Sequence, residues 1–219
     1  GLSPVNCRHC GAALRLNFLD LGSAPPSNAY LTPAQLAAPE LCFPLRLLVC
    51  EACWLVQTED HAGREALFTD DYAYFSSYSD SWLRHAQDYV EAMTRRFGLG
   101  ADSLVIEVAS NDGYLLQYVQ AKGIPCLGIE PTAGTAKAAR EKGIAVREEF
   151  FGRDLAQRLA NEGRAADLTV ANNVLAHVPD INDFVGGFAR LLKPHGVATF
   201  EFPHLLRMVS RVTRNHAAA

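Results

Sequence analysis

Four cysteines in the first quarter of the chain form two Cys-x-x-Cys pairs, Cys7 with Cys10 and Cys50 with Cys53. Such a turn presents two thiolates at a spacing that suits one metal ion, and two turns complete the sulfur tetrahedron of structural zinc. Buried free cysteines and a dithiol redox centre are the alternatives, but a redox site needs only one pair. The pattern therefore predicts a closed, structural zinc site.

The remaining cysteines and nearby histidines are interpreted more simply. His9 and His61 could replace a thiolate as ligands, but with four cysteines available we expect both to be exposed to solvent. Cys42 and Cys126 are expected to be small, buried apolar residues. A chain of this length does not need disulfides, so paired cysteines indicate metal binding in a reducing compartment, and we expect a cytoplasmic protein.

A second group of polar residues follows apolar, strand-like runs. Ser110-Asn111-Asp112-Gly113 comes directly after the run that contains Glu107, and a helical pattern then begins. At such a turn, backbone N–H groups face the carboxyl edge of the sheet, where ligands of open α/β sheets bind. Glu130 ends the next apolar run, and its carboxylate can accept both hydroxyls of a ribose. An adenosine-bearing ligand is therefore predicted.

The identity of this ligand depends on the glycines of the turn. NAD-binding turns carry G-x-G-x-x-G, whereas this run is E-V-A-S-N-D-G, with Ala109 at the first glycine position and only Gly113 retained. A pyrophosphate needs close backbone approach over several glycines. The acidic Glu107 fits a zwitterionic amino-acid ligand better, which favours S-adenosylmethionine over NAD.

Later segments add further candidates. Phe150-Phe151 could flank an adenine, although a core role for one of the two rings is equally well supported. Asn172, Asn173 and His177 follow the fourth apolar strand, where groups near a transferred atom would lie. His177 could act as an acid or base near neutral pH, with a purely structural role as the alternative.

The composition is that of a globular protein. Of 219 residues, 49% are hydrophobic and 20% charged, unlike disordered or collagen-like chains. The net charge of −4 gives no general attraction to nucleic acid or anionic lipid. Apolar runs stay shorter than the roughly 18 residues of a membrane span. We therefore expect neither nucleic acid nor a membrane as a partner.

The elements that must position these residues fall into three predicted regions. Residues 1–65 are a loop-rich module with short strands, and 66–100 are a linker and a leading helix. Residues 101–219 alternate five apolar strands with four helices, which is typical of a parallel, doubly wound, Rossmann-like α/β sheet. The predicted fold is thus a small zinc module followed by an α/β domain.

Five motifs in order resemble a known family: the two cysteine pairs, DYAYFSSYSDSW, EVASNDGYLL, GIEP and ANNVLAHVPD. From Cys7 to about Pro203 the chain is similar to the S-adenosylmethionine-dependent sugar C-methyltransferases, which act at C-3 of nucleotide-linked 4-keto-deoxysugars. The resemblance implies that the cysteines hold zinc, that His177 and Tyr72 are catalytic, and that Glu130 binds the ribose. It also implies that Tyr72, Ser76, Ser77 and Ser79 line the cofactor and substrate cleft and that Glu107, Ser110, Asn111 and Asp112 surround the methionine part. Further predicted cofactor contacts are Gly113, Pro131, Phe151, Asn172 and Asn173.

The implied chemistry removes a proton next to the C-4 ketone and leaves an enolate whose carbon is methylated. The chain departs from the family after the fifth predicted strand. A complete methyltransferase domain of this class has seven strands, and the family continues with a Tyr/His/Glu segment and a further domain. We therefore expect a truncated α/β domain that relies on an oligomer contact or on a further C-terminal domain. The alternative function is a catalytically inert zinc-ribbon and Rossmann binding module.

Overall fold

The computed structural model describes residues 5–26, 30–59, 75–207 and 209–210. The N-terminal part forms a three-stranded antiparallel sheet in the order β1-β2-β3. Its strands are β1 (Leu16–Ala24), β2 (Phe43–Val49) and β3 (Val56–Thr58). Side chains of β1 are almost all exposed, and the described apolar residues of this module that are buried are Cys7, Leu48 and Cys50. The small core thus centres on the predicted metal ligands.

The second part is a five-stranded sheet, all parallel, in the order β6-β5-β4-β7-β8. This confirms the predicted fold class. Its strands are β4 (Val105–Val108), β5 (Cys126–Ile129), β6 (Val146–Arg147), β7 (Ala166–Asn172) and β8 (Leu192–Glu201). The helices are α1 (Asp80–Phe97), α2 (Leu116–Ala121), α3 (Ala133–Glu141), α4 (Arg153–Asn161) and α5 (Ile181–Leu191).

The strand order makes β4 the centre of this sheet. The chain moves from β4 outward through β5 to β6, then crosses back and continues on the other side through β7 to β8. Loops after β4 and β7 therefore leave the sheet in opposite directions and open a crevice at its carboxyl edge. This reversal places the two predicted polar segments beside each other.

Helices cover both faces of the sheet. On one face, α1 and α2 pack through Val90 and Leu116 against Val105 and Val170. On the other, α4 and α5 pack against a face that includes Ile106. The predicted leading helix α1 thus packs on the α/β domain. None of the described helices is both long and apolar enough to span a membrane.

Phe151 belongs to the second of these cores. It is 8% exposed, and its ring lies 5.6 Å from that of Phe184 and 4.8 Å from that of Phe188. Phe200 extends the cluster. Of the two roles weighed for this residue, packing is the one that its contacts show, and contact with an adenine stays a prediction.

Gly113 offers a test of how the turn after β4 is packed. Its φ is +76°, and a Cβ there would overlap Ile144 Cδ1. Gly163 has the same φ of +76° but open space around its Cα, so it is a matched control. We expect Gly163→Ala to lose about 1–2 kcal/mol of unfolding free energy from backbone strain. Gly113→Ala should lose about 1–3 kcal/mol more from overpacking, measured by urea unfolding.

Adding Ile144→Val to Gly113→Ala removes the overlapping methyl group and should recover part of the extra loss. Equal losses at the two glycines, with no recovery in the double variant, would contradict this packing.

Candidate cofactor-binding site and metal centre

The carboxyl ends of β4, β5 and β7 meet at one edge of the sheet. β4 pairs with both β5 and β7, so the turn after β4 is flanked on each side. Glu107 lies near the end of β4, Glu130 follows β5, and Asn172 ends β7. The structure therefore brings together the polar residues that were predicted from their positions after separate apolar runs.

The turn after β4 alternates in backbone conformation. Ala109, Asn111 and Gly113 have positive φ angles of 58°, 50° and 76°. Residues other than glycine rarely adopt this left-handed backbone conformation, although asparagine tolerates it better than most. The turn thus follows a path typical of glycine-rich loops although two of its three left-handed positions carry side chains. Strained positions of this kind cluster at ligand sites.

Glu107 is fully buried. Neither carboxylate oxygen has a hydrogen-bond partner of normal geometry among the described residues. Burial raises the pKa of Glu107 well above its ordinary value of 4.5, and the nearby Tyr114 hydroxyl offsets only part of the rise. A buried carboxylate without donors is costly. The position suits a ligand that brings positive charge and N–H donors, as the ammonium group of an amino acid does.

Two further polar groups of the same turn are buried without a partner in the described part of the chain, Ser110 Oγ and Asp112 Oδ1. Gly128 on β5 makes room for the first, because a Cβ there would lie 2.5 Å from Ser110 Oγ. Buried polar groups are normally hydrogen-bonded. Their concentration in one turn therefore fits a polar ligand that completes the missing bonds.

Glu130 ties this turn to the end of β5. One carboxylate oxygen accepts a hydrogen bond from the Asn111 N–H at 2.9 Å, and the other accepts from the Thr132 N–H at 2.9 Å. Burial raises the pKa of Glu130, while these backbone donors oppose the rise. Each oxygen keeps a second lone pair that can accept from a ribose hydroxyl. Pro131, which separates Glu130 from Thr132, has a fixed φ and stiffens this segment.

A 3₁₀ turn that contains Ser76 and Ser77 docks on the turn after β4. The Ser76 N–H donates to Asn111 Oδ1 at 2.8 Å, and the Ser77 N–H donates to Asp112 Oδ2 at 3.3 Å. Lys142 donates to Ser77 Oγ at 2.8 Å and to the Asp112 carbonyl at 2.7 Å. The structure thus places both serines beside the predicted site, where the side chains of Asn111 and Asp112 also support the 3₁₀ turn.

Ser79 has a structural contact. Its hydroxyl accepts a hydrogen bond from the Trp82 N–H at 3.3 Å and caps the first turn of α1. Its assignment to the cofactor cleft stays a prediction. Tyr72, assigned to the cleft and to catalysis, lies outside the described residues, as does His61.

The segment after β7 carries the other predicted groups. Asn172 Nδ2 donates to the Tyr114 hydroxyl at 3.2 Å, and the Asn173 N–H donates to the Glu201 carbonyl at 2.7 Å. His177 ends a 3₁₀ turn at the surface. Neighbouring atoms shield its ring from part of the solvent, and this desolvation lowers the pKa of His177 from 6.5. The ring is therefore neutral at pH 7 and can accept a proton.

Three residues that contact this edge were not predicted from the sequence: Tyr114, His85 and Glu201. His85 Nε2 lies 2.7 Å from Glu201 Oε2 and joins α1 to the end of β8. Trp82 stacks on His85 and on Tyr114, with ring centroids 5.1 Å and 5.8 Å apart. One signal could have identified Glu201: it is an acid at the carboxyl end of an apolar strand, as are the acids of β4 and β5.

The four paired cysteines converge on one point. Their sulfur atoms all lie within 4.8 Å of one another. Across the pairs, Cys7 Sγ is 3.6 Å from Cys53 Sγ, and Cys10 Sγ is 3.5 Å from Cys50 Sγ. Zinc–sulfur bonds of about 2.3 Å in a tetrahedron give sulfur–sulfur distances of about 3.8 Å. The spacing thus fits zinc.

The ionisation of these thiols also fits a cation. Burial opposes ionisation of Cys7, but the backbone N–H of Cys10 and the side chain of Gln57 outweigh it and bring its pKa to about 6. The Leu55 N–H lowers the pKa of Cys53, yet desolvation and the neighbouring sulfurs raise it to about 12. Thiolates this close repel one another, so all four ionise together only around a positive ion.

The neighbouring residues are placed as follows. His9 is exposed and outside the sulfur cluster, as expected. Cys42 is also exposed and Cys126 only half-buried, so the expectation that both are buried core residues was wrong. The reason for Cys42 is its position just before β2, in a module whose small core lies at the cysteine cluster.

Replacing Glu107 by glutamine tests the buried carboxylate. The folded carboxyl holds its proton more tightly than the unfolded one, so wild-type stability falls as pH rises above 4.5. Glutamine does not titrate, so we expect the unfolding free energy of Glu107→Gln to rise relative to wild type by up to about 1.4 kcal/mol per pH unit above that point. Glu141→Gln, at an exposed residue of α3, is the control. If urea unfolding gives the same difference in unfolding free energy between Glu107→Gln and wild type at every pH, the pKa of Glu107 is not raised.

A serine at Cys50 tests the metal centre. We expect Cys50→Ser to lose stoichiometric zinc and to unfold the N-terminal module, because the core of that module is built on the ligands. Cys42→Ser changes an exposed cysteine outside the cluster and should keep its zinc. Elemental analysis and hydrogen exchange of residues 5–59 measure both effects. Full zinc retention by Cys50→Ser would show that the ligand set is wrong.

Comparison with known families identifies two domains in the chain. The family described as "Putative zinc binding domain" matches residues 7–68, and the family described as "Methyltransferase domain" matches residues 106–198. The first match contains the four-cysteine cluster, and the second runs from within β4 to within β8 and so covers most of the five-stranded sheet. Both therefore agree with the two parts of the fold.

Sequence similarity to individual proteins agrees with these two domain matches. The chain is 30% identical over 207 residues to the C-methyltransferase NovU of Streptomyces niveus, which is 94% of this chain and 49% of that protein. It is 25% identical over 118 residues to the ubiquinone biosynthesis O-methyltransferase of Azorhizobium caulinodans, which is 49% of this chain and 46% of that protein. The chain thus spans about half the length of the curated relatives it matches.

Among solved structures, the PH0226 protein from Pyrococcus horikoshii OT3 has a similar fold, with a TM-score of 0.50 and 16% identity over 71% of this chain and 70% of that one. The parallel sheet, its polar carboxyl edge and the four-sulfur cluster agree with these matches. The chain therefore joins a region that matches a zinc-binding domain family to a region that matches a methyltransferase domain family, and the methyltransferase fold implies S-adenosylmethionine as its cofactor.

Proposed function

We propose that this protein methylates a carbon atom of a nucleotide-linked 4-keto-deoxysugar, with S-adenosylmethionine as the methyl donor. The observation that carries the proposal is the buried carboxylate of Glu107, which makes no hydrogen bond of normal geometry with the described residues at the ligand edge of a methyltransferase fold. The choice of a sugar carbon is supported by the five ordered motifs and by the similarity to a C-methyltransferase over 94% of the chain.

In this proposal, three residues bind different parts of the cofactor. Glu107 pairs with the ammonium group of the methionine moiety, which gives the buried carboxylate the charge and donors it lacks. Ser110 Oγ, also buried without a described partner, bonds a polar atom of the same moiety. Glu130 accepts from the ribose hydroxyls through the lone pairs that the Asn111 and Thr132 N–H groups leave free.

Methylation of carbon requires a carbon nucleophile. A C–H bond next to a ketone is acidic because the resulting enolate places its charge on oxygen, so a base and a polar site near that oxygen are needed. We assign the base to His177, whose lowered pKa keeps its ring neutral and able to take the proton at pH 7. Tyr72 is proposed as the second catalytic group. S-adenosylmethionine, when bound, supplies an electrophilic methyl group and leaves as a neutral thioether.

The unpaired cysteines suit a reducing compartment. All six are free of disulfides, and thiolates that hold zinc must stay reduced. We propose a cytoplasmic location on this ground.

One pair of measurements tests the function. The purified chain is titrated calorimetrically with S-adenosylmethionine and, separately, with NAD, and then incubated with a nucleotide-linked 4-ketosugar in D2O. We expect saturable binding of S-adenosylmethionine alone, and exchange of the proton next to the ketone. Binding without exchange or methyl transfer would favour the inert binding module, and binding of NAD would overturn the cofactor assignment.

Glu130→Ala tests the ribose contact. We expect S-adenosylmethionine affinity to fall at least tenfold, about 1.4 kcal/mol, because paired hydrogen bonds to the ribose are lost. Glu130→Gln keeps one acceptor oxygen and replaces the other by a donor, so it should lose less affinity than Glu130→Ala. Glu141→Ala, an exposed acid of α3, is the matched control. Unchanged calorimetric affinity in Glu130→Ala would reject the ribose assignment.

A further inference from the structure

We infer that the first zinc knuckle, residues 7–10, positions the segment that carries His177. Two residues between the metal ligands, Arg8 and His9, reach across to the α/β domain and bond the chain just after His177. The zinc module thereby acts on a candidate catalytic residue of the other domain. This role goes beyond holding its own small sheet together.

His9 forms the closer of the two contacts. Its ring Nδ1 lies 2.8 Å from Asn182 Oδ1, and Asn182 Nδ2 donates to the His9 carbonyl at 2.7 Å. Both polar atoms of one amide are therefore used by one residue of the knuckle. Asn182 is the second residue of α5, and Asp180 caps the same helix through the Asp183 N–H at 2.8 Å. The contact fixes the start of α5 against the knuckle.

Arg8 connects the segment to both halves of the zinc module. Its Nη1 donates to the Val178 carbonyl at 3.3 Å, directly after His177, and its Nη2 donates to the Thr58 carbonyl at 2.6 Å. The Arg8 N–H donates to Gln57 Oε1 at 3.0 Å, and Gln57 Nε2 donates to Cys7 Sγ at 3.2 Å. The guanidinium is thus oriented by β3 and by a metal ligand.

The segment itself contributes few anchors. No residue from 173 to 180 is fully buried, and the packing of this segment on the α/β core is limited to the half-buried Val174, Leu175 and Val178. At its start, the Asn173 N–H is fixed to the Glu201 carbonyl, and within it the His177 N–H donates to the Val174 carbonyl at 2.8 Å. The knuckle supplies the anchors at the other end. His177 therefore lies between one attachment to β8 and two attachments to the zinc module.

The zinc site affects this segment because Arg8 and His9 occupy the two positions between Cys7 and Cys10. Closing the knuckle around zinc fixes the backbone of both residues, and with it the His9 carbonyl that Asn182 bonds. Without the metal, the module loses the core on which this geometry depends. The state of the zinc site should then be transmitted to residues 173–182 and not to the turn after β4.

Hydrogen exchange in the full chain tests this coupling without relying on activity. We expect Asn182→Ala to raise amide exchange in residues 173–180 at least fivefold, while zinc content and S-adenosylmethionine affinity stay unchanged. Asn182→Asp keeps an acceptor for the His9 ring but loses the donor to its carbonyl, so its effect should be intermediate. Asn161→Ala, at an exposed residue of α4 that is bonded to Gln157, is the matched control.

Removing zinc with a chelator should raise exchange in the same segment of the wild type and add less in Asn182→Ala, because the His9 link is already broken and only the Arg8 contact with Val178 remains to be lost. The NMR signal of the His177 ring should shift in both cases, and exchange in residues 107–113 should not change. Unaltered exchange in Asn182→Ala, or an apo wild type with residues 173–180 still protected, would overturn the inference. These outcomes are distinct from failure of the proposed function, which the cofactor titration and sugar exchange report.

Discussion

The fully buried carboxylate of Glu107 is the constraint around which the α/β domain is organised. A charge or an unbonded acid at the centre of a sheet is costly, and the surrounding packing must offset that cost. Its strand, β4, is hydrogen-bonded on both sides and packed on both faces, through Val105 to one core and Ile106 to the other. A strand held on both edges and both faces can keep such an acid in place despite its cost.

The backbone conformation of the turn after β4 is maintained by contacts with other segments and not by glycine residues. Two of its three left-handed positions bear side chains, so the backbone there is strained and must be held. Glu130 holds it from β5, Lys142 holds it from the end of α3, and the Ser76 N–H holds Asn111 from the segment before α1. These ties leave the surface of the turn rigid and polar, which suits an amino-acid ligand better than a pyrophosphate.

Features of the fold and site that depend on short-range sequence patterns could be predicted. Apolar runs predicted the five parallel strands, and acids at strand ends predicted Glu107 and Glu130, because parallel strands end at a common edge. Contacts between distant segments were beyond such reasoning. Packing of Phe151 against α5 and pairing of His85 with Glu201 depend on how helices cross the sheet, which no local spacing encodes. The docking of His9 on Asn182 joins residues 173 positions apart and needed the tertiary structure.

The two domains thus divide the site unequally. The turn after β4 takes hydrogen bonds from the 3₁₀ turn before α1, from Glu130 and from Lys142, so the proposed cofactor site is supported from within the α/β domain and the turn that precedes it. The segment with His177 instead takes its second anchor from the zinc module. We expect this arrangement to make cofactor affinity independent of the metal, while the position of His177, the proposed base, depends on it. The zinc is structural in its chemistry, since four thiolates leave no open coordination position, yet in our proposal its influence extends to the segment that carries His177.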